Sequence, residues 1–269
     1  MIETAYAKIN LALHVRKRRD DGYHEIETLF AFVDDGDLLT ARMREQDSLE
    51  LSGEFAYALD DPFGNIVAKA LGVLPRPQGL AVMLQKNLPV AAGLGGGSAD
   101  AGALFRLVRG AFQLPHDWQS RAAQLGADVP ACVLSETCIG RGTGTDLEPV
   151  DNDLAGMAVL LVNPRVAMRT GPVFAAWDGI DHGPLPDGPP SEIVQLGRND
   201  LEPAAIGLAP EIRTVLDALA AWGATFARMS GSGASCFGLF ADQAARDRAA
   251  ERIAQGHPHW WQMKGRLRK

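Results

Sequence analysis

Pro89-Val-Ala-Ala-Gly-Leu-Gly-Gly-Gly-Ser-Ala-Asp-Ala101 joins a segment with strand character, 79–85, to one with helical character. Ser98 can cap that helix, and Ala101, Leu104, Leu107, Val108 and Ala111 form its apolar stripe. Consecutive glycines let a backbone approach a ligand closely, and unpaired N–H groups at a helix start favour an anion. The stretch lacks the Gly-Lys-Ser/Thr ending of a P-loop, and Ser98 stands where a dinucleotide fingerprint has its last glycine. A tight connection without a ligand is the bland alternative. The strand–loop–helix context favours phosphate binding.

Upstream, residues 5–16 alternate strictly. Ala7, Ile9, Leu11, Leu13 and Val15 fall on one face, and Tyr6, Lys8, Asn10, His14 and Arg16 on the other. Period two predicts a strand with one buried face, so Lys8 and Asn10 are expected to project together away from the core. Asp21-Gly22 marks a turn, and 25–33, 37–43 and 48–52 read as further strands. Asn65 is placed to cap a helix carrying Ile66, Val67, Ala70, Leu71 and Leu74. A helix over 117–126 follows, and Pro130 suits the first turn of another.

Downstream, strand 157–163, helix 209–222, strands 224–229 and 235–240, helix 242–255 and strand 258–264 give β-α-β-β-α-β, the ferredoxin-like order. Residues 178–190, rich in Pro, Gly and Asp, read as an exposed inserted loop. The expected fold class is α+β in two domains. Residues 1–153 form a β layer plus helices carrying the glycine-rich loop, and residues 154–269 form the ferredoxin-like domain.

The 269 residues are 46% apolar and 22% charged, enough for two ordinary globular domains. A net charge of −7 argues against a nucleic-acid-binding surface, and the basic segments 16–19 and 264–269 are short enough to be solvated. Cys132, Cys138 and Cys236 lack metal-ligand spacing and read as buried thiols. The apolar run 154–162 is too short for the ~20 residues of a membrane span. Glu3 and Lys8 precede the basic stretch, the reverse of a secretory signal, so a soluble cytoplasmic protein without a membrane partner is expected.

Three further features carry chemistry. Ser230-Gly-Ser-Gly-Ala-Ser235 is a second small-residue loop, alone most simply a hairpin turn. Asp128, in Gly126-Ala-Asp-Val-Pro130, precedes a helix, where an Asp is more often a cap than a base. Lys8 on a strand face is ordinarily just solvated. Tyr23-His24 follows a turn, and Phe174 sits near Val173 and Trp177 at core-like spacing. Composition and spacing end at a phosphate-binding two-domain protein, an enzyme.

Together, Ala7–Leu13, Pro89–Ala101 and Met229–Ser235 resemble the three motifs of the GHMP kinase superfamily. Asp21-Gly-Tyr-His24 with Thr28, and Gly126-Ala-Asp-Val-Pro130, resemble its branch acting on a cytidine diphosphate-linked methylerythritol in isoprenoid precursor synthesis. The resemblance runs nearly end to end and implies transfer of the ATP γ-phosphoryl group to a hydroxyl of that small molecule. It implies Asp128 as the base and Lys8 as its cationic partner. Asn65, Lys86, Gly93, Leu94, Gly95, Gly96, Gly97 and Ser98 would hold ATP with Mg2+, Ser98 being a candidate metal contact. Asn10 would orient the methylerythritol, Tyr23 and Phe174 would sandwich the cytosine, His24 would bond its edge, and Gly231 and Gly233 would close over the reacting groups. Two departures stand out: Ala99 replaces a frequent serine, and Asp100 puts a carboxylate near the triphosphate that a Mg2+ could use. The alternatives are a kinase of the homoserine or mevalonate type, or a non-catalytic nucleotide-binding member.

Overall fold

The computed structural model describes residues 1–59 and 65–269. The alternating N-terminal segment forms β1 (Ile2–Arg18), which pairs with β2 (His24–Arg44). The strands expected over 25–33 and 37–43 are therefore one continuous strand of 21 residues. Asp34-Asp35-Gly36, turn residues by type, stay extended because Gly36 lies directly on β1, where a Cβ would collide with the Ala5 carbonyl. The polar face of β1 is not solvated as expected: Lys8, Asn10 and His14 are 4%, 2% and 0% exposed. Both faces of this strand are interior from residue 7 to residue 15, and Lys8, Asn10 and His14 have each found a partner.

Contacts divide the chain into two compact units, one of residues 1–8, 35–90 and 95–135, the other of residues 9–34, 91–94 and 136–269. This differs from a single cut after residue 153. Two strands as long as β1 and β2 supply residues to both units, which a linear boundary cannot represent.

In the first unit, β4 (Gly79–Gln85) pairs parallel with β3 (Ser48–Ser52) and antiparallel with residues 38–44 of β2. Among the described residues, four α-helices belong to it: α1 (Ile66–Val73), α2 (Gly96–Ala111), α3 (Trp118–Leu125) and α4 (Val129–Leu134). Asn65 caps α1 as expected, its Oδ1 accepting the Val67 N–H at 2.8 Å. α2 is the central helix, buried on every side from Ala99 to Val108. Leu104, Phe105 and Val108, each fully buried, contribute about 1.5–3 kcal/mol apiece in removed apolar surface. Gly102 lets α2 and α4 touch, since a Cβ there would meet the Cys132 carbonyl oxygen at 2.5 Å.

The second unit holds the hairpin β5 (Cys138–Arg141) and β6 (Asp146–Pro149), with β5 paired to residues 28–30 of β2. Its main sheet runs β10 (Trp261–Arg266), β7 (Ala158–Asn163), β9 (Cys236–Phe240), β8 (Phe226–Met229), antiparallel throughout. With α8 (Glu211–Ala221) and α9 (Gln243–Gly256), this is the expected ferredoxin-like order. Three short helices, α5 (Thr170–Ala175), α6 (Pro190–Leu196) and α7 (Glu202–Leu208), are inserted after β7. The 178–190 segment is largely exposed but anchored: Leu185 is buried, and its N–H donates to Glu27 Oε2 at 2.6 Å. The three cysteines are buried free thiols. Among the described residues, no helix is long and apolar enough to cross a membrane.

Candidate active site

In the first unit the glycine-rich loop enters α2 three residues earlier than the Ser98 cap predicts. Gly95 is the N-cap, at φ +62°, and has no side chain with which to cap. Ala99 makes the first helical bond, its N–H donating to the Gly95 carbonyl at 2.7 Å. The N–H groups of Gly96, Gly97 and Ser98 therefore head the helix. Gly97 is exposed and Gly96 and Ser98 half-buried, the arrangement that receives an anion.

Lys8 runs under this turn, and a Cβ on Gly95 would lie 2.9 Å from Lys8 Cε. Its ammonium meets Asp128 Oδ2 at 3.0 Å, with the lysine side chain 5% exposed and the aspartate 32%. Asp128 occupies the N-cap position of α4 but makes no side-chain capping bond. The ordinary role of an Asp before a helix is thus not the one it performs. It presents a partly open carboxylate backed by a buried cation. A Cβ on Gly126 would fall 3.9 Å from Ser98 Oγ, so the segment carrying Asp128 and the head of α2 are neighbours.

Lys86 is not where a nucleotide contact would need its ammonium: it is 2% exposed, bonded to Asp37 and, at 2.7 Å, to Asp100 Oδ2. Asp100 is equally buried, at 2%, so the carboxylate expected near a metal is turned inward. Asn65 is 7% exposed, with its Oδ1 spent on the α1 cap.

In the second unit, the small-residue loop 230–235 is a hub rather than a simple hairpin turn. Ser230 Oγ donates to the Gly93 carbonyl at 2.8 Å and accepts the Asn10 N–H at 3.2 Å. Gly93, at φ +76°, is so close that a Cβ would collide with the Ser230 carbonyl. Ser235 N–H donates to the Ala92 carbonyl at 3.1 Å. Leu94 is buried, 1% exposed. Asn10 Nδ2 donates to Thr28 Oγ1 at 2.8 Å, and its Oδ1 lies 3.1 Å from where a Gly231 Cβ would stand. Gly233 is similarly closed in, by Met229 Sδ at 2.7 Å. Asn199 supports the loop, donating to the Met229 and Gly231 carbonyls at 2.9 and 2.8 Å. Sequence reasoning left this role unassigned, although Asn199-Asp200 is a conspicuous polar pair for a buried site.

An aromatic cluster lies in the same unit. The His24 ring is 4.7 Å from that of Phe174, tilted 38°, and 5.7 Å from Trp177, nearly edge-on. Phe174, expected to stack with Tyr23 on the cytosine, packs on His24 instead, while Tyr23 is 63% exposed. Trp177, read as core, also forms the wall behind His24. Burial, then the Arg18 charge, lowers the His24 pKa, so its ring is neutral at pH 7. Arg18 Nε donates to His24 Nε2 at 3.4 Å, which leaves Nδ1 to carry the proton.

Comparison with known proteins identifies the family. Residues 63–136 match the GHMP kinases N terminal domain and residues 191–259 the GHMP kinases C terminal family. The fold and these two matches define a GHMP kinase, a small-molecule phosphotransferase that uses ATP. A homoserine kinase from Cytophaga hutchinsonii shares the fold at TM-score 0.69 and 17% identity, over 100% of this chain and 93% of that one. A crystal structure of 4-(cytidine 5'-diphospho)-2C-methyl-D-erythritol kinase aligns over 100% of both chains, with TM-score 0.83 and 32% identity. The 4-diphosphocytidyl-2-C-methyl-D-erythritol kinase of Erythrobacter litoralis is 63% identical over 98% of each chain. That of Novosphingobium aromaticivorans is 64% identical over 99% of this chain and 92% of its own. The chain belongs to the 4-diphosphocytidyl-2-C-methyl-D-erythritol kinase family.

Proposed function

We propose that the chain transfers the γ-phosphoryl group of ATP to the 2-hydroxyl of 4-diphosphocytidyl-2-C-methyl-D-erythritol, a step toward isoprenoid precursors. The observation that carries the mechanism is the Lys8–Asp128 pair, with Asp128 free of any capping bond. Asp128 accepts the hydroxyl proton as the oxygen attacks the γ-phosphorus and the bond to the β-phosphate oxygen breaks, leaving ADP. Lys8, 3.0 Å from Asp128 Oδ2, faces the carboxylate and orients it for that step. A base of this kind supplies about 10²–10⁴-fold in rate.

The N–H groups of Gly96, Gly97 and Ser98 receive the phosphates. A helix start stabilises an anion by at most ~2 kcal/mol, so this turn positions ATP and the remaining barrier reduction comes from alignment and charge neutralisation. Among the described residues no group of three His, Cys, Asp or Glu could hold a metal ion. With Asp100 turned inward, the Ser98 hydroxyl at the head of α2 is the side chain that would hold a Mg2+ arriving on ATP. Bound there, Mg2+ neutralises phosphate charge. Substrate recognition is assigned to Asn10, Gly231 and Gly233 for the methylerythritol and to Tyr23, His24 and Phe174 for the cytosine. Neutral His24, with its proton on Nδ1, is a donor suited to the N3 or O2 acceptors of cytosine.

The test is ADP release with Mg-ATP and the cytidyl substrate, wild type beside Asp128→Asn. Turnover in the wild type, reduced at least ~10²-fold in the variant with ATP affinity held within a factor of about three, is the expected outcome. Equal turnover in both removes Asp128 from its role. Turnover with homoserine or mevalonate in place of the cytidyl compound overturns the substrate assignment.

A further inference from the structure

Lys86, Asp37 and Asp100 form a buried charge cluster inside the first unit, 2%, 0% and 2% exposed. Each comes from a different element: Asp37 from β2, Lys86 from the residue after β4, Asp100 from the second turn of α2. The Lys86 ammonium donates to Asp37 Oδ2 and, at 2.7 Å, to Asp100 Oδ2. The other Asp37 oxygen accepts the N–H groups of Asn87 at 2.5 Å and Leu88 at 2.8 Å. Residues 89–95, the glycine-rich loop, thus leave the cluster at Leu88 and return to it through α2.

The cluster lies directly beneath the phosphate-facing turn. A Cβ on Gly96 would stand 3.4 Å from Lys86 Nζ and 3.8 Å from Asp37 Oδ2. Asp100 Oδ1 is buried without a hydrogen-bond partner. Burial raises the Asp100 pKa well above the ordinary carboxylate value, with the Lys86 charge opposing and the Asp37 charge adding to the rise. The single Lys86 ammonium is set against both carboxyl groups and links them. Well-packed apolar residues would fill such a place at equal or better stability. What they would not supply is a directional link from helix to strand, placed where the direction of three N–H groups matters.

We propose that Asp100, acting through Lys86, is a positioning residue for the ATP phosphates: it holds the first turn of α2 so that the Gly96, Gly97 and Ser98 N–H groups converge on them. This rests on the phosphoryl-transfer reading above. It gives Lys86 a part in nucleotide binding that involves no contact with the nucleotide. It also accounts for an acid in the middle of an otherwise small-residue motif.

The experiment compares wild type, Asp100→Ala and Asp100→Asn by steady-state kinetics, varying Mg-ATP and the cytidyl substrate separately. Calorimetric binding of a non-hydrolysable Mg-ATP analogue accompanies it. Asp100→Ala is expected to raise the KM for ATP and the analogue Kd at least tenfold, with the KM for the cytidyl substrate within twofold. Asp100→Asn, a neutral isostere that still accepts from Lys86, is expected to restore both ATP values to within about threefold of wild type. An ATP KM within twofold of wild type in the alanine variant, an equal rise in both KM values, or an asparagine variant as impaired as the alanine one would each overturn the proposal. If Asp100→Ala does not fold, Asp100→Ser is judged by the same criteria. Should the wild type bind the analogue yet fail to turn over the cytidyl substrate, the substrate reading falls, and the Kd comparison alone decides the role of Asp100.

Discussion

Gly95 shows how much rests on one backbone angle. At φ +62° it opens α2 in a conformation that costs an L-residue roughly 1–2 kcal/mol, and the Lys8 stem fills the space a side chain would need. Gly95→Ala should therefore strain the turn and push Lys8 away from its 3.0 Å contact with Asp128. The expected result is a kcat lowered about tenfold or more, more than the stability loss accounts for, because most molecules still fold. Rate measurements paired with a thermal melt separate the two effects: a melting shift with unchanged kcat would show that the Lys8–Asp128 pair tolerates the displacement. Lys8 was legible in the sequence as a lysine on an alternating strand, and Asp128 as a residue before a helix. Neither could be seen to face the other, because nothing in a period-two pattern tells a solvated lysine from one buried under a glycine. The resemblance joined them, and their charged groups lie 3.0 Å apart.

At the scale of elements, what was legible followed local rules. Asn65 was read as a cap from its place before an apolar helical stripe, and its carboxamide oxygen does hold the Val67 N–H. Asn65→Ala should cost about 1 kcal/mol and lower Tm by roughly 2–4 °C, measurable by calorimetry. If ATP protects the variant as well as the wild type, the residue serves the helix and not the nucleotide. The ferredoxin-like unit was legible because each strand and helix there has its own period and its own breakers. The continuity of β2 through Asp34-Asp35-Gly36 was not, since the close approach of Gly36 to β1 is a tertiary fact that overrides turn chemistry. The helix start at Gly95 was missed for a related reason. A serine is a better intrinsic cap, but at an anion site the bare N–H groups are the useful feature, and a serine cap would occupy one of them. The anchoring of residues 178–190 was hidden too, because two of its partners, His14 and Glu27, lie 169 and 158 residues away in sequence.

At the scale of the whole molecule, that anchoring couples folding to pH. His14 is fully buried, its Nε2 accepts the Arg198 N–H at 3.1 Å, and its Nδ1 lies 3.2 Å from the Gly183 carbonyl. A ring that accepts at Nε2 must be neutral with the proton on Nδ1. Burial first, then the Arg198 charge, lowers its folded-state pKa below the ordinary 6.5. The sign follows from linkage. Between the lowered folded value and 6.5 the unfolded chain binds more protons, so the stability contributed by neutral His14 is full above pH 6.5 and is lost as pH falls through that window. Asp100 works in the opposite sense, its raised pKa removing stability as pH climbs above 3.8 toward it. The raw curve therefore mixes the two, and the difference between wild type and His14→Gln isolates the histidine. Glutamine can donate to Gly183 and accept from Arg198 but does not titrate. Denaturant unfolding from pH 5 to 8 should show the wild type losing stability relative to His14→Gln below pH 6.5 and a constant difference above it. Parallel curves across the whole range would mean that His14 keeps its proton count on unfolding, and that the strap it holds is indifferent to pH.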